Sequence, residues 1–325
     1  MFCSPKPFLN EAMRNQNNAL RSWRAIHRDV EILIFGAPIG AAEIAAEVDA
    51  KLIPEIECSS SGAPSFNAMA AYASRYARYG LLVYANCDVL FDKSLVPAMQ
   101  MAARQFGQFL LVGERMDLPE GVMLDVSNSM WGESLIRLAD ADKLACHGPT
   151  GVDYFGFTRG MWDGLPLVYM GRAMCDQALL HYCLGRRIPI VDATLAVIAV
   201  HQFHGYQHVP GGLGQVFNGE DTLVMSQAHR LRHCLPTIAD CMWQLMEDGR
   251  IQTGRTRRPL LRRMEFALRY EHHFEKAALL LRALQYLRGR SGVQPRRYSR
   301  ENVLAAWRLA NSRGAGRRKD DPLNG

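Results

Sequence analysis

Short apolar runs alternate with stretches of helical periodicity through the first two thirds of this chain. Residues 10–27 repeat apolar side chains at helical spacing (Ala12, Met13, Ala19, Leu20, Trp23, Ile26), with an Asn-rich middle that must face something polar or solvent. Residues 30–35 then read as a strand, ended by the turn residues Gly36-Ala37-Pro38-Ile39-Gly40. An Ala-rich helix is predicted over 39–48, a short strand over 51–57 and a loop at 59–64. Ser65 is placed to cap a helix over 66–79. The run Leu81-Leu82-Val83-Tyr84-Ala85 follows Gly80 and reads as a strand covered on both faces. A helix at 94–106 and a strand at 109–113 complete the order β, α, β, α, β, α, β, which predicts a doubly wound, nucleotide-binding type of α/β sheet.

The next stretch has a different texture. A helix is expected over 133–138, then glycines punctuate His147-Gly148-Pro149-Thr150-Gly151-Val152-Asp153-Tyr154-Phe155-Gly156-Phe157, where tight turns and close backbone approach to a ligand become possible. Gly171-Arg172-Ala173-Met174-Cys175-Asp176 opens a helix through residue 184. Residues 188–194 and 195–200 are extended and deliver His201-Gln202-Phe203-His204-Gly205-Tyr206-Gln207-His208. Helices are predicted over 225–247 and 258–287.

The candidate chemistry starts at the strand end Asn86-Cys87-Asp88. A carboxylate at the carboxyl edge of a buried strand can hold a divalent cation against a phosphate, and it can equally be a turn or capping residue. Arg115 and Arg172 can neutralise phosphates or make ion pairs at the edge of the core. Trp131, Trp162 and Tyr154 can stack on a sugar or fill the core.

Composition narrows the class. The 325 residues are 48% apolar and 22% charged, enough for one large core plus an appendage. No apolar run has the length of a membrane span, and the opening residues lack the layout of a secretory signal, so a cytoplasmic protein is expected. The eight cysteines are scattered without a Cys-x-x-Cys pair, which predicts free thiols and no zinc site. Charge divides unevenly: residues 1–229 carry 17 Lys/Arg against 23 Asp/Glu, and residues 230–325 carry 21 against 9. The basic part suits an anionic partner such as lipid headgroups or a polyanionic glycan, and specific nucleic-acid binding is not expected. The domains predicted are 1–225, a catalytic domain; 226–310, a helical basic extension; and 311–325, a disordered tail.

Taken together, the strand-end acid Asp88, the Gly-rich segment 148–160, the helix-opening Asp176 and the late His201 resemble a GT-A glycosyltransferase. The phrases Gly-Val-Asp-Tyr-Phe-Gly-Phe, Pro-Leu-Val-Tyr-Met-Gly-Arg and His-Gln-Phe-His-Gly-Tyr-Gln-His are similar to glycosyltransferase-like proteins of bacterial polysaccharide loci. The resemblance covers residues 30–219. It implies a GT-A-like, Rossmann-related mixed sheet and transfer of a sugar from a nucleotide-sugar donor to a glycan or lipid-linked acceptor. It also implies Mn²⁺ or Mg²⁺ as cofactor. Within it Asp176 or Asp153 serves as base, and Gly36, Glu57, Gly62, Asn86, Asp88, Arg115 and Arg172 contact the donor. Asp88, His201 and His204 hold the metal, with His208 a weaker candidate. The acid-x-acid motif of such proteins is reduced here to Asn86-Cys87-Asp88, and the first strand stands behind a helix. The alternatives are a sugar nucleotidyltransferase, or a weak or inactive homologue that binds an anionic glycan or a membrane surface through the basic helices.

Overall fold

The computed structural model describes residues 1–122, 124–126, 131–141, 143–205, 212–231, 235–254, 258–288 and 298–316. Its frame is a nine-stranded sheet in the order β13-β12-β10-β6-β9-β4-β1-β2-β3. The strands are β1 (Phe2–Cys3), β2 (Leu33–Phe35), β3 (Lys51–Ile53), β4 (Leu81–Ala85), β6 (Leu110–Val112), β9 (Tyr154–Thr158), β10 (Ile190–Asp192), β12 (Trp243–Leu245) and β13 (Ile251–Thr253). All run parallel except β9, which lies antiparallel between β4 and β6, and β13, which closes one edge as a hairpin with β12. The doubly wound mixed sheet expected from the sequence is therefore the fold.

Both faces are covered. One core combines α1 (Asn10–Ile26), α2 (Ala41–Glu47), α4 (Leu95–Gln105), α5 (Trp131–Asp140) and α11 (Arg300–Gly316); the other combines α3 (Phe66–Tyr76) and α6 (Cys175–Gly185). Ser65 caps α3, its hydroxyl accepting from the Ala68 amide at 3.2 Å. Among the described residues the seven cysteines form no disulfide.

Three expectations need correction. The strand at 33–35 is not the first: Phe2–Cys3 precedes it and pairs with both β2 and β4, so α1 is the crossover between two parallel neighbours. Residues 225–247 are not one helix. The helix α8 (Glu220–Ala228) stops at Arg230, whose φ of 52° breaks the helical path, and β12 then joins the main sheet beside β10. Residues 258–287 are likewise divided into α9 (Arg258–Phe266), a π-helical turn (Ala267–Glu271) and α10 (Glu275–Arg288). Of the two readings open to Tyr154, Trp131 and Trp162, the core one holds: all three are buried, Tyr154 fully, and Trp162 packs edge-on against Phe66 and Phe157.

At the far end of the chain, α11 carries helix through Gly316, six residues into the stretch expected to be disordered; the remainder of that stretch lies outside the described residues. Val303, Leu304 and Trp307 of α11 are buried in the main core, and Tyr298 donates to Asp192 Oδ2 at 3.0 Å.

Candidate active site

A second, four-stranded sheet assembles the site at the carboxyl edge of the first. Its order is β5 (Val89–Phe91), β11 (Ala199–His201), β7 (Met116–Asp117) and β8 (Ala145–Cys146). The register sets His201 opposite Val89 on one side and opposite Asp117 on the other. Asp88, one residue before β5, therefore lies beside His201. The chain pins this arrangement again through Gln202, whose amide and side chain both donate to the Asp88 carbonyl, at 3.2 and 3.1 Å.

The Asn-rich face of α1 holds the histidine loop. Asn15 Nδ2 donates to the Phe203 carbonyl at 2.9 Å, Asn18 Nδ2 donates to Gln202 Oε1 at 3.2 Å, and Gln202 Nε2 donates back to the Asn15 carbonyl at 2.8 Å. These polar residues face a functional loop rather than solvent.

Asp88, His201 and His204 bring one ligand atom each within 4.8 Å of one another. His204 Nε2 is 3.1 Å from Asp88 Oδ2, and His201 Nε2 is 3.8 Å from Asp88 Oδ1. Asp88 Oδ1 is buried without a hydrogen-bond partner among the described residues. Burial alone would raise the Asp88 carboxyl, but the charges of His201, His204 and Lys6 and the His204 hydrogen bond win, holding it well below the usual carboxylate range. Burial lowers His201. For His204 burial is outweighed by the bond to Asp88, and the net direction is upward. His204 Nδ1 faces the Gly205 carbonyl at 2.9 Å, which leaves Nε2 aimed at Asp88.

An oxygen-nitrogen-nitrogen set with an unpartnered carboxylate oxygen fits a divalent cation that accepts imidazole. That chemistry suits Mn²⁺ better than Mg²⁺, which prefers an all-oxygen octahedron. His208 lies outside the described residues.

Around this trio lies a polar layer in which Asn86, Arg115 and Asp153 were expected from the sequence and Asp117 and His147 were not. Asp117 Oδ1 is 3.7 Å from His201 Nδ1, an ion-pair distance longer than a hydrogen bond, on the side of the ring away from Asp88. Asp117 also meets His147 Nδ1 at 2.7 Å and accepts from Arg115 Nε at 2.8 Å. Arg115 pairs in addition with Asp153, and Asn86 Nδ2 donates to Asp153 Oδ1 at 2.8 Å. Asn86, Arg115 and Asp153 thus brace one another beside the metal trio. Arg172 pairs with Asp221 at 3.1 Å, and Ser59 and Ser61 donate to the same carboxylate, tying the loop after β3 to α8. Gly36 ends β2 with φ 87°, and Glu57 and Gly62 are exposed in the loop after β3.

Asp176 stands in the first turn of α6. Burial pushes its carboxyl up to about 7, against a backbone hydrogen bond from Gln177, and the charge of Asp153 adds to the rise.

Lys6, on the loop after β1, was not singled out from the sequence; its Nζ is 3.9 Å from Asp88 Oδ2. The signal was a lone lysine between two prolines, which carries no function on its own.

No family model and no curated protein matches the chain. Among solved structures it is similar to glucosyl-3-phosphoglycerate synthase from Mycobacterium tuberculosis in complex with Mg²⁺ and UDP, at 14% identity and TM-score 0.41, over 70% of this chain and 79% of that one. It is similar also to S. aureus TarS 1-349 in complex with UDP-GlcNAc, at 10% identity and TM-score 0.43, over 100% of this chain and 94% of that one. In a second structure of TarS 1-349 the likeness spans 57% of that chain, at 11% identity and TM-score 0.35. At 10–14% identity these are likenesses only, and the reading of the site is carried by the chain's own residues.

Proposed function

We propose that this protein is a glycosyltransferase that moves a sugar from a nucleotide-sugar donor to a glycan or lipid-linked acceptor in cell-surface polysaccharide synthesis, assisted by a divalent cation. The observation that carries the reading is the convergence of Asp88, His201 and His204 at the carboxyl edge of the sheet, beside β1 and β4. Chain order reverses there: β2 and β3 lie to one side of β1 and β4 to the other, which makes the crevice a topological switch point where ligands bind in open α/β sheets.

In this reading Asp88, His201 and His204 hold Mn²⁺ or Mg²⁺, which when bound supplies positive charge to a departing diphosphate. Asp117 stands on the side of His201 away from Asp88, and Asn86, Asp153 and Arg115 keep the loop after β4 in place. Asp176 takes the proton of the acceptor hydroxyl as that oxygen bonds to the anomeric carbon. The bond from that carbon to the diphosphate oxygen breaks, and its electron pair leaves with the nucleoside diphosphate. Gly36, Glu57 and Gly62 border the donor side. A nucleotidyltransferase is less well supported, because the loop after the true first strand, Ser4-Pro5-Lys6-Pro7, contains no glycine.

Isothermal titration with uridine, guanosine, thymidine and cytidine diphosphate sugars, with and without Mn²⁺, tests the reading. One nucleotide class is expected to bind, and more tightly with Mn²⁺. Absence of binding by every donor in both conditions would overturn it.

The acceptor's location draws on the basic helices. Phe274 and Leu280 are 62% and 63% exposed, and Leu260, Met264 and Leu279 are exposed with them, near the exposed Arg263 and Lys276. Exposed apolar side chains among cations suit a peripheral contact with anionic lipid. Among the described residues no helix is long and apolar enough to cross a membrane. Co-sedimentation with phosphatidylglycerol vesicles is expected, with loss of binding on phosphatidylcholine vesicles and in the Phe274→Glu/Leu280→Glu double variant. Equal sedimentation of variant and parent would exclude this face.

A further inference from the structure

We propose that Lys6 is the chain's own cation for the donor diphosphate, and that by neutralising Asp88 it makes the metal trio a weak site for a free divalent cation. The inference rests on the reading of this edge as a diphosphate site and adds to it a residue, a charge balance and an order of affinities.

The placement is rigid. Lys6 leaves the carboxyl end of β1 and Asp88 leaves that of β4, two strands paired side by side at the switch point. Pro5 and Pro7 restrict the backbone on either side. The buried Gln16 grips the peptide of Lys6 at both ends, accepting from its amide at 2.7 Å and donating to its carbonyl at 2.9 Å. Phe8, also buried, anchors the loop, and its amide donates to the Ile39 carbonyl at 2.8 Å. The ammonium group reaches Asp88 from this platform, and its side chain is 31% exposed, so it is open to solvent as well as to the carboxylate.

The charge balance follows. With neutral imidazoles the trio offers a single negative charge, and Lys6 at 3.9 Å cancels it. A divalent cation arriving alone meets a trio whose one negative charge is already balanced by a positive neighbour, while Asp117 and Asp153 are taken up by Arg115. A diphosphate meets the opposite, a cation already in place. The two arginines expected to meet donor phosphates are otherwise engaged, Arg115 by Asp117 and Asp153, and Arg172 by Asp221. A second carboxylate at the position of Asn86 would strengthen metal binding; Lys6 acts in the opposite sense and shifts the burden of holding phosphate to the protein.

The test uses the full chain with Lys6→Gln and Lys6→Arg variants in two calorimetric titrations. In EDTA, UDP, GDP, dTDP, CDP and inorganic pyrophosphate serve as probes; without phosphate, Mn²⁺ serves alone. Lys6→Gln is expected to weaken diphosphate binding in EDTA at least tenfold and to tighten Mn²⁺ binding several-fold, with Lys6→Arg close to the parent in both. The opposite signs distinguish a charge at the site from general damage. Unchanged diphosphate affinity in EDTA, or Mn²⁺ binding that weakens or stays constant in Lys6→Gln, would overturn the proposal while leaving the site reading intact. If none of the phosphate probes binds the parent chain with or without Mn²⁺, the diphosphate site and the role of Lys6 fall together.

Discussion

Replacing Asp88 with asparagine is expected to abolish measurable Mn²⁺ binding and to lower the rate of sugar transfer by about 10²–10³-fold, the scale associated with losing one preorganised electrostatic contact to a transition state. The amide is nearly the same size and shape, so the fold should survive. The backbone carbonyl of Asp88, which Gln202 grips from its amide and its side chain, is untouched by the change. What disappears is the carboxylate charge that faces Lys6, His201 and His204. Removing it leaves one ammonium and two imidazoles around a neutral amide, with no negative charge in the trio to attract a divalent cation. Because its neighbours keep the Asp88 carboxyl far below its ordinary range, the parent should hold its charge across the whole working pH range, and no acidic limb in activity should trace to this residue. Wild-type transfer rates in Asp88→Asn, measured with saturating donor and Mn²⁺, would remove the residue from the mechanism.

Two of the site residues named from the sequence share one property: each follows a short apolar run. Asp88 comes just after the strand at 81–85 and His201 just after the run 195–200, which placed both at strand ends; their order with the Gly-rich segment and Asp176, not position alone, marked them as metal candidates. The parts that were not legible lie on strands too short to show a period. β1 and β7 have two residues each, and alternation cannot be read from two positions. Missing β1 hid Lys6, and missing β7 hid Asp117. The hairpin of β12 and β13 carried a usable signal, since Asp248-Gly249 lies between its strands and Gly249 adopts φ 85°, as hairpin turns require. Helical spacing in 225–247 masked it. The Asn-rich stretch of α1 was correctly read as facing something polar, but its partner, the loop at 202–203, lies some 190 residues away in sequence, beyond any local pattern.

Asp176→Asn is expected to lower the turnover number by about 10²–10⁴-fold while leaving donor and Mn²⁺ affinity unchanged, because general-base catalysis acts on the chemical step and not on donor binding. The two acids proposed for this role have different surroundings. Asp153 is engaged on both oxygens, one by Asn86 and the other by Arg115, which leaves it little freedom to take a proton from an acceptor. Asp176 has Gln177 Nε2 on one oxygen at 3.0 Å, and burial brings its carboxyl to about 7. A base with that value exchanges protons readily near neutrality. The sign of the pH dependence follows: below about 7 the carboxyl is protonated and cannot accept, above it the carboxylate is available, so turnover should rise through neutrality and level off. In Asp176→Asn the residual rate should lose this rising limb. Persistence of the limb in Asp176→Asn, together with its loss in Asp153→Asn at unchanged thermal stability, would move the base to Asp153. A flat profile in the parent enzyme would mean that proton removal by a group of this kind does not limit the reaction.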